Sequence, residues 1–189
     1  MLGMMLLALV ADVSSSEADQ RLLKMTALYE QVCLKAFPND EAVEALMKAQ
    51  GARELSSEEV KVTMRDDPAR GWELSGTRAT VWIEFPPFHA CSVRWNTPPV
   101  SGLSVYRDLA DRYEGAQGGF EPIAALDRDQ GDIHIHGVGE RRTLKNQATE
   151  SLLVIDQQIS NPTRRAAGET GIVLRFVHQF AQPPASGAN

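Results

Sequence analysis

Residues 151–159 read SLLVIDQQI and residues 171–180 read GIVLRFVHQF, and the reading of these two stretches decides the fold. Each has the length and the apolar, β-branched content of a strand buried in a sheet. In the second, Ile172, Leu174, Phe176, His178 and Phe180 share one side of an extended chain, and that side reads as core. The connection SNPTRRAAGE is longer than a tight hairpin, and loops of this kind often carry mobile or binding residues.

Working back along the chain, the patterns predict strands over Asp132 to Val138, Pro122 to Leu126, His89 to Trp95, Ala79 to Phe85 and Trp72 to Leu74. Ser75-Gly76-Thr77 and Pro86-Pro87 turn the last three of these, Trp72 to Leu74, Ala79 to Phe85 and His89 to Trp95, into a meander. A helix is predicted over Tyr106 to Tyr113, ended by Gly115 and Gly118-Gly119. Two more helices open the chain. The first runs from Ser16 to Phe37, with Ser16 and Asp19 as a capping box and an apolar stripe through Leu22, Met25, Tyr29, Val32 and Cys33. The second runs from Asp40 to Gln50, between the cap at Asn39 and the terminator Gly51. The polar segment RELSSEEVKVTMRDDPARG then links helices to sheet, with a short strand predicted at Val60 to Met64. These spacings lack the βαβ rhythm of a parallel sheet. They predict an α+β fold with two N-terminal helices, one middle helix and a mostly antiparallel sheet of about six to seven strands.

A chain of 189 residues, 43% of them hydrophobic and 23% charged, suffices for one domain with a proper core. The net charge of -6 is spread over both halves without a basic stripe, so nucleic acid is not an expected partner. Residues 1–11, MLGMMLLALVA, are apolar, and DVSSSEA follows. The run is too short to span a bilayer and suits the apolar region of a secretory signal, although no Lys or Arg precedes it. The expected layout is a signal peptide over 1–18, cleaved after Ala18 or Ala11, a single domain over 19–181 and a disordered Pro/Gly/Ala-rich tail over 182–189. A periplasmic or secreted protein without a transmembrane span follows; the alternative is a cytosolic structural protein that retains its N-terminus.

The chain has two cysteines, Cys33 and Cys91, too far apart for a C-x-x-C motif. Cys33 lies on the apolar side of the first helix. Strict alternation in FHACSVRW places Cys91 with His89, Val93 and Trp95 on an inward strand face. The two are either one disulfide tying helix to sheet or two buried thiols. Cys33 with Phe37-Pro38, Trp72-Glu73-Leu74 and Cys91-Ser92-Val93 resembles small exported proteobacterial proteins of unknown function, over about residues 33–95. The resemblance implies an envelope location and supports the disulfide; it brings no catalytic residue with it.

Candidate chemistry is concentrated in GDIHIHG, residues 131–137, which holds two of the four histidines. On a strand Asp132, His134 and His136 line up, with Ile133 and Ile135 opposite. Two imidazoles and a carboxylate can supply part of a zinc shell. A straight row is poor geometry, because its ends lie about 13 Å apart along the strand. The row becomes a metal site only where a neighbouring strand or loop adds a ligand; otherwise it is the polar side of a half-buried strand. His178 and His89 both read as core histidines. Cys91 and His89 share a face but have no evident orienting group, and no G-x-S-x-G elbow occurs. GVGERR lacks the third glycine of a phosphate cradle. Arg141-Arg142 and Arg164-Arg165, in predicted loops, are candidate contacts for an anion or a partner's carboxylates, or simply solvated charge. Trp82 alternates with Val81 and Ile83, so one of these side chains can face away from the core.

The leading expectation is a non-enzymatic envelope protein that binds a partner protein or small ligand and needs no cofactor. The runner-up is a metal-dependent hydrolase or metal-binding protein built on Asp132, His134 and His136, with zinc as its metal.

Overall fold

The computed structural model describes residues 20–64, 67–77, 79–86, 88–95, 103–166 and 171–180. The expected signal peptide, the Ser16 cap and the tail 182–189 lie outside the described residues. The first helix, α1, spans 20–36, and its last seven residues, Glu30–Ala36, are π-helical. Then follow α2 (Asp40–Ala49), β1 (Arg53–Glu54), α3 (Ser57–Met64), β2 (Ala69–Glu73), β3 (Ala79–Glu84) and β4 (Ala90–Trp95). The second half holds α4 (Ser104–Gln117), β5 (Glu121–Pro122), β6 (Leu126–Gln130), β7 (Ile133–Thr143), β8 (Thr149–Ile159), α5 (Pro162–Ala166) and β9 (Gly171–Gln179). The fold is α+β. Among the described residues, no helix is long and apolar enough to cross a membrane.

All nine strands form one antiparallel sheet in the order β1-β2-β3-β4-β9-β8-β7-β5, with β6 also paired to β7. The last strand therefore lies in the middle, between a meander from the first half of the chain and one from the second. This position explains its sequence. A central strand is covered on both faces, and Gly171 to Leu174 are all buried.

Residues opposite one another in the register share a face. Ile83, Cys91, Phe176 and Leu152 form one row across four strands, and Val81, Val93, Leu174 and Val154 form the next. These rows meet Met25, Tyr29, Val32 and Cys33 of α1, Val43 and Met47 of α2, and Tyr106, Leu109 and Ala110 of α4 in one core. α2 begins as its sequence requires, with the Asn39 side chain accepting from Ala42 N at 3.0 Å. On the reverse face Trp82 packs against Gly71, where a Cβ would come within 2.8 Å of the indole. Its Nε1 donates to Thr80 Oγ1 at 2.9 Å. Trp82 is thus the outward-alternating residue, yet it is buried.

Several elements differ from the sequence expectation. Val60 to Met64 is not a strand; it is the second half of α3. Ser56 and Glu59 form a capping box there, with Glu59 N donating to Ser56 Oγ at 3.3 Å and Ser56 N to Glu59 Oε2 at 2.8 Å. The predicted strand Pro122 to Leu126 divides into β5 and β6, and β6 consists of exposed residues without apolar periodicity. β7 runs to Thr143, so Arg141 and Arg142 belong to a strand and not to a loop.

Candidate functional site

β7 places His134 and His136 on the same sheet face as Leu152 and Val154, beyond the area that the helices cover. Ile133 and Ile135 point to the reverse face, where Ile135 is buried. Neighbouring strands bring carboxylates to the row. Asp129 and Asp127 of β6 stand opposite His134 and His136, and Asp156 of β8 stands opposite His136 on the other side. His134 Nδ1 donates to Asp129 Oδ1 at 2.9 Å, and His136 Nδ1 to Asp127 Oδ2 at 3.2 Å. The Asp129 hydrogen bond raises the His134 pKa above its ordinary value; desolvation, next in size, opposes it, and the charges of Asp127, Asp129 and Asp156 add to the rise. Asp132 turns elsewhere: both its oxygens accept from Arg164 Nη1, at 2.6 and 2.8 Å. Asp127 also approaches His134 Nε2 at 3.6 Å, so both imidazoles are engaged by the β6 carboxylates and share Asp127. No group of three or more His, Cys, Asp or Glu among the described residues is arranged to hold a metal ion.

Arg141, Arg142 and Arg164 have side-chain partners within the protein. Arg142 Nε donates to Glu150 Oε2 at 2.7 Å, both side chains being nearly buried, and its Nη1 donates to Gln117 O at 2.9 Å. Gln117 is the last residue of α4, so Arg142 clamps the C-terminal end of that helix to the sheet, where a cation is also favoured electrostatically. Arg141 Nε donates to Ser151 Oγ at 3.1 Å. Arg164 and Arg165 lie in α5, inside the β8–β9 connection that the sequence reads as a loop.

Cys33 and Cys91 are bonded, with Cα atoms 5.3 Å apart, so neither sulfur is a free nucleophile. His89 is a buried histidine satisfied on one side, since its Nε2 donates to Asp40 Oδ1 at 2.9 Å. His178 is half-buried and stacks on Phe180.

A second feature was not legible in the sequence. Between α4 and the β7–β8 strands lies a cleft of about 390 Å³, lined by Leu103, Tyr106, Ala110, Val138 and Val154 together with Arg107, Asp111, Glu114 and Glu140. Its volume and its mixture of apolar walls with a few polar groups suit a small-molecule site. The helix residues recur at 103, 106, 107, 110, 111 and 114, one helical stripe that carries apolar and charged side chains together. Burial, then the nearby charges of Glu140 and Asp111, push the Glu114 carboxyl above the usual carboxylate range. Tyr106 is 5% exposed, and its hydroxyl has no hydrogen-bond partner among the described residues. Burial, then Glu140 and Glu114, raise its phenol well above the ordinary value. The amphipathic spacing of α4 was visible in sequence; that Glu140 faces it depends on strand order, which pattern alone does not fix.

Comparison with known proteins returns no matching family, no matching curated protein and no matching solved structure.

Proposed function

We propose that this chain is an exported, non-enzymatic binding domain of the cell envelope whose ligand seats in the cleft between α4 and β7–β8. The observation that carries the binding reading is the cleft itself, about 390 Å³ with apolar walls and a few polar groups. The Cys33–Cys91 bridge supports a compartment where disulfides persist. It also takes both sulfurs out of nucleophilic chemistry.

A fragment screen read by amide NMR shifts tests the proposal. Binders should move Tyr106, Ala110, Val138 and Gly139 in the wild type and lose that effect in Val138→Trp, which fills the cleft. Hits centred on His134 and His136, or scattered without focus, would contradict it.

A further inference from the structure

β6 joins the sheet on one side only, by its pairing with β7, and its five residues are all exposed. Its side chains meet the histidine row. Asp127 reaches both rings, with Oδ1 3.6 Å from His134 Nε2 and Oδ2 3.2 Å from His136 Nδ1, while Asp129 Oδ1 lies 2.9 Å from His134 Nδ1. His134 therefore has a carboxylate at each of its ring nitrogens. A neutral imidazole donates from one nitrogen and turns a lone pair outward from the other, so it suits one of these carboxylates and repels the second; an imidazolium donates to both. Among the described residues, the other charged groups beside the row are Asp156 of β8, opposite His136, and Asp132, which is paired with Arg164 of α5. Both ends of β6 are pinned without the histidines. Ile123 N donates to Gly139 O at 3.0 Å before the strand, and Ser160 N donates to Asp132 O at 2.8 Å after it.

We propose that the His134–His136 row is a proton-operated clamp on this edge strand: protonated rings grip Asp127 and Asp129 and hold β6 on β7, and loss of the protons lets the middle of β6 open. With both rings neutral, the carboxylates of Asp127, Asp129 and Asp156 stand together beside uncharged imidazoles; protonation sets two positive charges among them. The pairs are exposed, so each contributes little alone, but β6 buries no side chain that would hold it otherwise. The His134 pKa, raised first by its hydrogen bond to Asp129, points the same way. A group raised in this way contributes fully below the unfolded histidine value of about 6.5 and loses its contribution as pH rises through the folded value. The clamp is thus closed in acid and released toward alkali. Opening is confined between the pinned ends and leaves the outer backbone groups of β7, from Ile133 to Gly137, without their partners, as on any bare sheet edge. This device is independent of the cleft.

Amide hydrogen exchange on the ¹⁵N-labelled, oxidised full chain, each rate divided by the intrinsic rate at the same pH, tests the clamp. Protection at the facing residues Arg128 and Ile135 should fall about threefold or more between about pH 5.5 and about pH 8.5. Ile123 and Ser160, at the pinned ends, and Leu152 and Leu174, in the core, should keep theirs over the same range. Two variants remove the two sides of the clamp in turn. Asp127→Asn/Asp129→Asn and His134→Gln/His136→Gln should each make protection at Arg128 and Ile135 independent of pH, with the core amides unchanged. Wild-type protection at Arg128 and Ile135 that does not vary with pH would overturn the proposal. An equal fall at Leu152 and Leu174 would also overturn it, because the whole fold and not the edge strand would then be opening. A fall that persists in both variants would place the titrating group elsewhere and overturn it too.

Discussion

Cys33, in the π-helical end of α1, is bonded to Cys91, the second residue of β4, and both are wholly buried where the helix crosses the sheet. The bond closes a loop with a sequence separation of 58 and fixes the first helix over the rows that form the core. In the chain-entropy description a loop of this length contributes about 4 kcal/mol, a large share of a small domain's net stability. Cys33→Ala/Cys91→Ala should therefore lower the unfolding free energy by about 2–5 kcal/mol in urea titrations. A loss below about 1 kcal/mol would show that the packing of α1 holds without the bridge.

Gly139 is required by its neighbours. A Cβ there would lie 2.0 Å from the Leu152 carbonyl oxygen, a backbone atom of the paired strand. Gly139→Ala should disrupt the β7–β8 pairing beside the cleft and cost about 2–4 kcal/mol, read by thermal melts and by amide exchange at Val138 and Leu153. At Gly71 the obstacles are Leu55 Cδ1 and the Trp82 indole, side-chain and not backbone atoms, at 2.8 Å, so Gly71→Ala should cost less than Gly139→Ala.

Arg142 and Glu150 are a nearly buried pair, 13% and 12% exposed at the side chain. Arg142→Met removes one charge, leaves Glu150 without its partner and frees the C-terminal end of α4. A loss of about 3–5 kcal/mol is expected, with much of it recovered in Arg142→Met/Glu150→Leu. Equal losses in the single and double variants would contradict the pairing.

The His134 pKa is raised in the folded state, first by its hydrogen bond to Asp129. A group raised in this way favours the fold while it is protonated. Its contribution is fully present below the unfolded histidine value of about 6.5 and is lost as pH rises through the folded value. ¹H NMR titration of the His134 ring should give a midpoint above that of unfolded histidine, and Asp129→Asn should bring it down. Zinc content after dialysis should be the same in the wild type and His134→Ala/His136→Ala, because the row and its carboxylates are not arranged to hold a metal ion among the described residues. A wild-type excess would mark the row as a metal site.

The parts of the fold that were legible in sequence are those where one local period fixes the outcome. β3, β4, β8 and β9 alternate or run apolar, and α2 carries its cap and terminator in the chain. Cys33 and Cys91 could be assigned inward for the same reason. α3 was misread because Val60, Val62 and Met64 alternate like a strand, whereas its start is set by side-chain hydrogen bonds between Ser56 and Glu59. β6 was displaced because a strand held by pairing to β7, with its side chains in water, carries no apolar signal. The histidine row was found, but the carboxylates that meet it come from β6 and β8, and Asp132 is drawn off by Arg164 across the β8–β9 connection. The cleft was missed altogether. Glu114 and Glu140 face each other only because the final strand enters the middle of the sheet and sets the places of β7 and β8 under α4.

The central claim is an exported, disulfide-braced binding domain, and intact mass of the protein recovered from its native host, with and without reductant, tests it most directly. We predict a chain shortened at Ala18 or Ala11 that gains the mass of two hydrogens on reduction. A full-length chain already carrying two free thiols would contradict the claim.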